Sequence, residues 1–235
     1  MGVGVRVAAL YDVHGMLPPL EAVLEEVERS GVDVTLFGGD LTWGPEPAET
    51  LELIRSLSRT RFVRGNCDRE PDEWERSCLD AEQVAFLQGL PQALELDGVL
   101  YCHATPRSDE EIVTPATPDE RLAEILAGVE QHTVVAGHTH MQQDRRVGAT
   151  RWVNAGSVGL PYEGEVAAFW ALVSDGDVEL RRTPFDRARL EAVLRDSAWP
   201  EARAVMTENV MQPYSREQAS ADLERQAAAR DVPPA

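Results

Sequence analysis

The sequence predicts an α/β sandwich in which two β-sheets pack face to face with helices outside. Strand–helix units fill the first part of the chain, and strands dominate the later part. At 235 residues the chain is long enough for a sizeable core, and no linker-like stretch divides it before about residue 184.

Val5–Leu10 is an apolar strand-like run ending in Tyr11-Asp12-Val13-His14-Gly15. Leu17–Glu28 then places Leu20, Val23, Leu24 and Val27 at helical spacing, with prolines at its start, where they are tolerated, and Ser30-Gly31 at its end. Val32–Phe37 reads as a second buried strand running into Gly38-Gly39-Asp40-Leu41, and Glu49–Leu57 as the next helix. A third strand, Arg61–Val63, ends in Arg64-Gly65-Asn66-Cys67-Asp68, and a helical stretch covers Ala81–Leu90. Leu94–Leu96 and Val99–Cys102 flank Asp97-Gly98, a strong hairpin signal, and deliver His103. A Thr/Pro-rich loop (104–118) and a helix, Glu120–Val129, precede the strand Thr133–Ala136, which feeds Gly137-His138-Thr139-His140. Arg151–Asn154, Val166–Val173 and Val178–Arg182 are further strands, the last two joined at Asp175-Gly176. Leu190–Leu194 and Ala202–Met211 read as helices, and the charged, Ala-rich tail from Ser215 as a segment that frays. Met206, Val210 and Met211 give the last helix an apolar stripe suited to docking on the body or to a dimer face.

No apolar run approaches the ~20 residues that span a bilayer. The N-terminal residues read as a strand rather than as a signal sequence. Three cysteines (Cys67, Cys78, Cys102) form no even disulfide framework and suit a reducing cytoplasm. The net charge of −19, from 41 acidic against 22 basic residues, disfavours long nucleic acid as a partner. It would also repel a small anion unless the local field is reversed, which bound divalent cations would do.

Five strand-like runs end in metal-ligand residues: Asp12 and His14, Asp40, Asn66, His103, and His138 with His140. Ligand sites in α/β sheets lie beyond the carboxyl ends of the strands, so these five ends can converge. Carboxylates, imidazoles and an amide, with no thiolate required, suit Mn, Fe, Zn or similar divalent ions. Seven ligands are too many for one tetrahedral ion and about right for two that share a carboxylate. Such a pair, about 3.5–4 Å apart, would hold a bridging hydroxide and clamp a phosphoryl group. His132, outside any motif, reads as structural. Arg107 suits either a phosphate contact or a solvated loop, and Trp43, Trp74 and Tyr162 either base stacking or wall packing.

The blocks Asp12-x-His14, Gly39-Asp40, Gly65-Asn66-x-Asp68, His103 and Gly137-His138-x-His140 resemble those of the calcineurin-like metallophosphoesterase superfamily. The strings Gly39–Pro47, His103–Ser108 and Asn154–Gly159 are similar to its small bacterial phosphodiesterase branch. The resemblance implies a four-layer αββα sandwich of two mixed sheets over residues 1–184. Residues 185–235 are then a C-terminal helical extension packed on it, with frayed last residues. It implies two ions, Mn first with Fe, Zn, Ni or Mg as alternatives. Asp12, His14, Asp40 and His140 would hold one, and Asp40, Asn66, His103 and His138 the other. Asp68 and Cys67 become catalytic candidates, Asp68 by orienting a neighbouring group through a hydrogen bond and Cys67 with a small filler beside the site as its alternative role, and Asn66, Arg107 and Cys67 become substrate-binding candidates. Cys67 stands where many members carry a histidine that assists the leaving group, so diesters or good leaving groups are the expected substrates. Tyr11 and Met16 also depart from the common pattern and are expected to tune the pocket wall. The implied activity is hydrolysis of small, cyclic-nucleotide or nucleotide-type diesters. Phosphomonoester or dinucleoside-polyphosphate hydrolysis, and a scaffold without catalysis, are the alternatives.

Overall fold

A computed structural model describes residues 4–230. β1 (Val7–Leu10), α1 (Leu17–Ser30), β2 (Val34–Phe37), α2 (Pro47–Ser56) and β3 (Thr60–Phe62) make two parallel crossover units. Three helices follow: α3 (Asn66–Arg69), α4 (Glu73–Cys78) and α5 (Ala81–Gln88). They lead into the antiparallel hairpin of β4 (Ala93–Leu96) and β5 (Val99–Cys102). α6 (Asp119–Ile125) precedes β6 (Thr133–Ala136), β7 (Gln143–Val147) and β8 (Thr150–Asn154). β9 (Ala168–Ser174) and β10 (Asp177–Thr183) return to the first sheet. α7 (Arg187–Asp196), α8 (Ala202–Val205) with a π turn at Met206–Met211, and α9 (Arg216–Arg230) complete the described chain.

The strand orders are β10-β9-β1-β2-β3 and β4-β5-β6-β8-β7, both mixed. Alternation along β1 shows how the layers form. Val7, Ala9 and Tyr11 pack with Val99, Tyr101, Val135 and Val153 between the sheets. Ala8 and Leu10 point the other way, to Leu20 and Val23 of α1 and to Leu51 and Ile54 of α2. On the far face of the second sheet, Val134, Ala136 and Trp152 bury Leu122 and Ile125 of α6. The result is the expected αββα sandwich. In both sheets the parallel strands β1, β2 and β3, and β5, β6 and β8, point their carboxyl ends at one rim.

The structure departs from the expected elements where local signals are weak. β7, Gln-Asp-Arg-Arg-Val, has no apolar alternation because it is an edge strand with charged side chains outward. α4 is only six residues long and rests on a capping box, with Asp72 accepting from the Glu75 amide and Glu75 from the Asp72 amide. α6 stops at Ile125, short of Val129. The expected Ala202–Met211 helix changes to π geometry at Met206. The tail does not fray from Ser215. Arg216–Arg230 is a helix of strong helix formers, opened by a reciprocal Ser215–Gln218 pair and tied down by Glu224, which accepts from Thr114 and Thr117 at 2.5 Å each. The last residues expected to fray, 231–235, lie outside the described residues.

α7, α8 and the π turn bury Leu190, Leu194, Trp199, Ala202, Val205 and Val210 against Met16 and Leu160. Met16 is therefore an anchor for the C-terminal helices. Val210 is buried and Met206 packs on this cluster, while Met211 is 65% exposed.

Candidate metal centre

The ends of β1, β2, β3, β5 and β6 bring all seven expected ligand residues to the common rim. Asp12, His14, Asp40, His103 and His140 are buried, and Asn66 and His138 are half-buried. Ligand atoms of Asp12, His14 and His140 lie within 4.8 Å of one another, as do those of Asp40, His103 and His138. Asp40 lies between the two sets, its Oδ2 3.9 Å from His14 Nε2 and 3.5 Å from His103 Nε2.

The fit to cations rests on lone pairs that face one another. His103 Nδ1 donates to the Gly38 carbonyl at 2.9 Å and His140 Nδ1 to the Leu160 carbonyl at 2.6 Å. Both rings are thus fixed with Nε2 turned inward, His103 beside the Asp40 carboxylate and His140 beside Asp12. His140 Nε2 meets His14 Nε2 at 3.1 Å. Asp12 Oδ2 accepts from the His138 amide at 2.8 Å, whereas its buried Oδ1 has no hydrogen-bond partner and lies 3.4 Å from His140 Nε2. His14 Nδ1 is likewise buried and unpartnered. The Asn66 carboxamide oxygen faces His103 Nε2 at 3.2 Å; with the amide turned over, its NH2 would donate to His103 and His138 instead. An unpaired carboxylate oxygen beside imidazole nitrogens is costly when buried and is relieved by a cation among them. The residues fit divalent ions.

The titration of these groups follows the same geometry. Burial, then the neighbouring His140, holds His14 down to about 4; burial, then His103, does the same to His138. Both are neutral donors at physiological pH. Burial alone would lower His103, but the Asp40 carboxylate overrides it and lifts the ring to about 10. Burial likewise pushes Asp40 upward, and His103 more than reverses this, holding it well below the ordinary carboxylate range.

The backbone is unusual here. Asp12, His14, Asp40, His138 and His140 all have φ between +53° and +67°, in the left-handed region that non-glycine residues seldom adopt. Each such residue costs of the order of 1–3 kcal/mol, which the surrounding packing sustains. The glycines before two of them serve close approach. A Cβ on Gly137 would come within 2.5 Å of Asp12 Oδ2, and the left-handed turn itself is made by His138. A Cβ on Gly39 would sit 2.5 Å from the Gly65 nitrogen and 2.7 Å from His103 Nδ1.

The remaining candidates take different positions. Asp68 is fully buried and accepts from the amides of Asp40 (2.8 Å), Leu41 (3.0 Å) and Gly65 (2.8 Å). These bonds give it the orienting role expected from the sequence, joining the β2 and β3 ends. Burial, then Asp40, raises its carboxyl to about 6. Cys67 is half-buried at the rim, its amide donating to Asp40 Oδ1 at 2.9 Å. Burial, then Asp40, pushes its thiol well above the ordinary range. Arg107 turns to Glu111, donating from Nε at 2.9 Å and from Nη2 at 2.5 Å. Arg69 pairs with Asp109 at 2.5 Å and with Glu110. Tyr11 is core between the sheets, its hydroxyl donating to the Val135 carbonyl at 2.9 Å. His132 is exposed at the start of β6.

Trp43 stands edge-on to His14, with centroids 5.5 Å apart, and Tyr162 stacks on His140 at 4.9 Å. Trp199 and Tyr214, both after residue 184, back these two rings at 5.0 and 5.6 Å. Two positioning residues were not singled out from the sequence, although both lie in the string Asn154–Gly159. Asn154 Nδ2 donates to the Gly137 carbonyl and to Thr139 Oγ1, and Ser157 Oγ donates to the Asp12 carbonyl. A short polar side chain at a strand's last residue or just past it is the signal that could have found them.

Comparison with known proteins finds relatives in sequence and in fold. The family whose model matches is the calcineurin-like phosphoesterase superfamily domain, over residues 5–175. Phosphodiesterase YfcE of Escherichia coli is 27% identical over 70% of this chain and 85% of its own length. An uncharacterized protein of Methanocaldococcus jannaschii is 25% identical over 77% of this chain and 88% of its own length. A crystal structure of a metallophosphoesterase from Sphaerobacter thermophilus superposes with a TM-score of 0.71 at 26% identity, covering 85% of this chain and 96% of that one. A hypothetical protein from Pyrococcus horikoshii shares the fold, with a TM-score of 0.76 at 22% identity over 86% of this chain and 97% of that one.

Proposed function

The chain belongs to the calcineurin-like phosphoesterase superfamily, and from its centre we propose that it is a metal-dependent phosphodiesterase acting on small phosphodiesters. The observation that carries this reading is the pair of ligand sets on either side of Asp40. Asp12, His14, Asp40 and His140 would hold one divalent ion, and Asp40, Asn66, His103 and His138 the second, with manganese first in preference. Such ions, when bound, would supply an activated water near neutral pH and the positive charge that receives a phosphoryl group inside an acidic protein.

The chain's own side chains shape the rest. Asp68 fixes the Asp40 and Gly65 backbone, and Ser157 and Asn154 fix the loops that carry Asp12 and His138. Substrate approaches where Asn66, Cys67 and His138 are half-buried. Asn66 and Cys67 line that approach, and Arg107 joins them if the substrate displaces Glu111. A thiol held protonated gives a departing alkoxide little help, which favours diesters and good leaving groups. Trp199 and Tyr214, in the extension that begins at residue 185, back Trp43 and Tyr162 beside the centre.

The test is hydrolysis of bis-p-nitrophenyl phosphate and p-nitrophenyl phosphate after chelation, with and without added manganese. Manganese-dependent turnover with the diester ahead is expected. A faster monoester would reassign the substrate class, and no turnover of either substrate with metal bound would make the chain a scaffold. Cys67→His should then shift the ratio toward the monoester, and an unchanged ratio would remove Cys67 from the leaving-group account.

A further inference from the structure

The two ligand sets leave one neighbouring group unused. Ligand atoms of His14, Asp40 and Cys67 also lie within 4.8 Å of one another. They come from the ends of three strands, β1, β2 and β3. His14 is 3% exposed, with Nε2 3.9 Å from Asp40 Oδ2 and Nδ1 without a hydrogen-bond partner, so the thiol sits beside buried donors that are themselves under-satisfied. We propose that His14, Asp40 and Cys67 form a third cation site, selective for thiophilic divalent ions of the zinc and cadmium class, which excludes the ion on the Asp12–His140 side. The proposal goes beyond the phosphodiesterase reading and rests on it only for the competition between ions.

The donor set makes the selection. A thiolate with one imidazole and one carboxylate suits zinc and cadmium and offers little to magnesium or manganese, which prefer oxygen. Donor atoms on a tetrahedral ion with bonds of about 2.0–2.3 Å stand roughly 3.3–3.6 Å apart, so the three groups need to close by little more than about an ångström. Cys67 is half-buried, while His14 and Asp40 are buried. On binding, the S–H bond breaks, sulfur takes the ion, and the proton leaves to solvent.

Exclusion follows from lone-pair arithmetic. A neutral imidazole has one lone pair, so His14 cannot serve both this ion and one beside Asp12 and His140. Asp40 has two oxygens and can still serve the His103–His138 side. A thiophilic ion therefore displaces one member of the pair and leaves the other.

The experiment is a cadmium titration of the full-length, manganese-loaded chain, read by the ultraviolet sulfur-to-cadmium charge-transfer band and by free manganese in electron paramagnetic resonance. The band should rise to about one cadmium per chain while about half of the bound manganese is released. Cys67→Ser should abolish the band and raise the cadmium needed for release by about tenfold or more. Cys78→Ser should keep both responses. A band that persists in Cys67→Ser, an absent band in the parent chain, or manganese release indifferent to Cys67→Ser would each overturn the proposal. The same titration on the metal-free chain tests the thiolate site without a resident pair. Failure to bind manganese at all would count against the two-ion reading, not against this one.

Discussion

The two sides of the centre are built differently. Asp12, His14 and His140 are closed in, under Trp43 and Tyr162, with Trp199 and Tyr214 behind those rings. Around His138, Asn66 and Cys67 the centre is half open. Asp40 belongs to both sides. One side is thus embedded in the packing of the C-terminal helices, and the other is left for substrate and for exchange with solvent. Stability and access are assigned to different halves of one centre.

Asp40→Asn tests the joint between the halves. If Asp40 is shared, diester turnover falls by at least about 10³-fold, near 4 kcal/mol in barrier, and both ions bind more weakly. Loss of a single ion would break the sharing. Trp199→Ala probes the closed side. Deleting this buried indole should cost about 3–5 kcal/mol in urea unfolding, whereas Cys67→Ala on the open side should shift stability by no more than about 1 kcal/mol. Equal effects would erase the contrast.

Glu75 supports the closed side from below. It is fully buried, accepts from Thr42 Oγ1 at 2.7 Å, and caps the turn whose Asp72 holds the Trp43 indole N–H. Burial raises its carboxyl to about 7 from 4.5, although the Thr42 hydrogen bond opposes the shift. The folded state therefore binds a proton more tightly than the unfolded state, and stability declines as pH rises from 4.5 through 7. Glu75→Gln should remove roughly 2–3 kcal/mol of that decline, seen as a gain over the parent at pH 8 that is absent near pH 4.5. A parallel pH profile would remove the burial account.

The smallest effect concerns strain, which both sides share. His14 has φ +53° and His138 φ +67°. At each position the glycine variant should be more stable than the alanine variant by about 0.5–1 kcal/mol in unfolding measurements without metal. A difference on one side only would tie the strain to burial rather than to the loop path.

Much of the fold was legible because β1, β2, β5 and β6 are continuous apolar runs bounded by turn residues, and the ligand motifs mark their ends. β7 was not, since a charged edge strand carries no periodic signal and is defined by pairing with β8. The helix at Arg216–Arg230 looked like a loose tail because its anchors, Thr114 and Thr117, are about a hundred residues away. In the centre, the seven residues that converge could be read from motif order. The closed and open halves could not, because Trp199 and Tyr214 reach Trp43 and Tyr162 only through tertiary packing. For Asp68 the sequence suggested an orienting hydrogen bond, but not that its partners would be the backbone amides of Asp40, Leu41 and Gly65.

The most direct measurement is anomalous diffraction at the manganese edge from crystals of the manganese-loaded chain. Two peaks about 3.5–4 Å apart are predicted, one against Asp12, His14 and His140 and the other against Asn66, His103 and His138, with Asp40 touching both. A single peak, or two that do not share Asp40, would contradict the account.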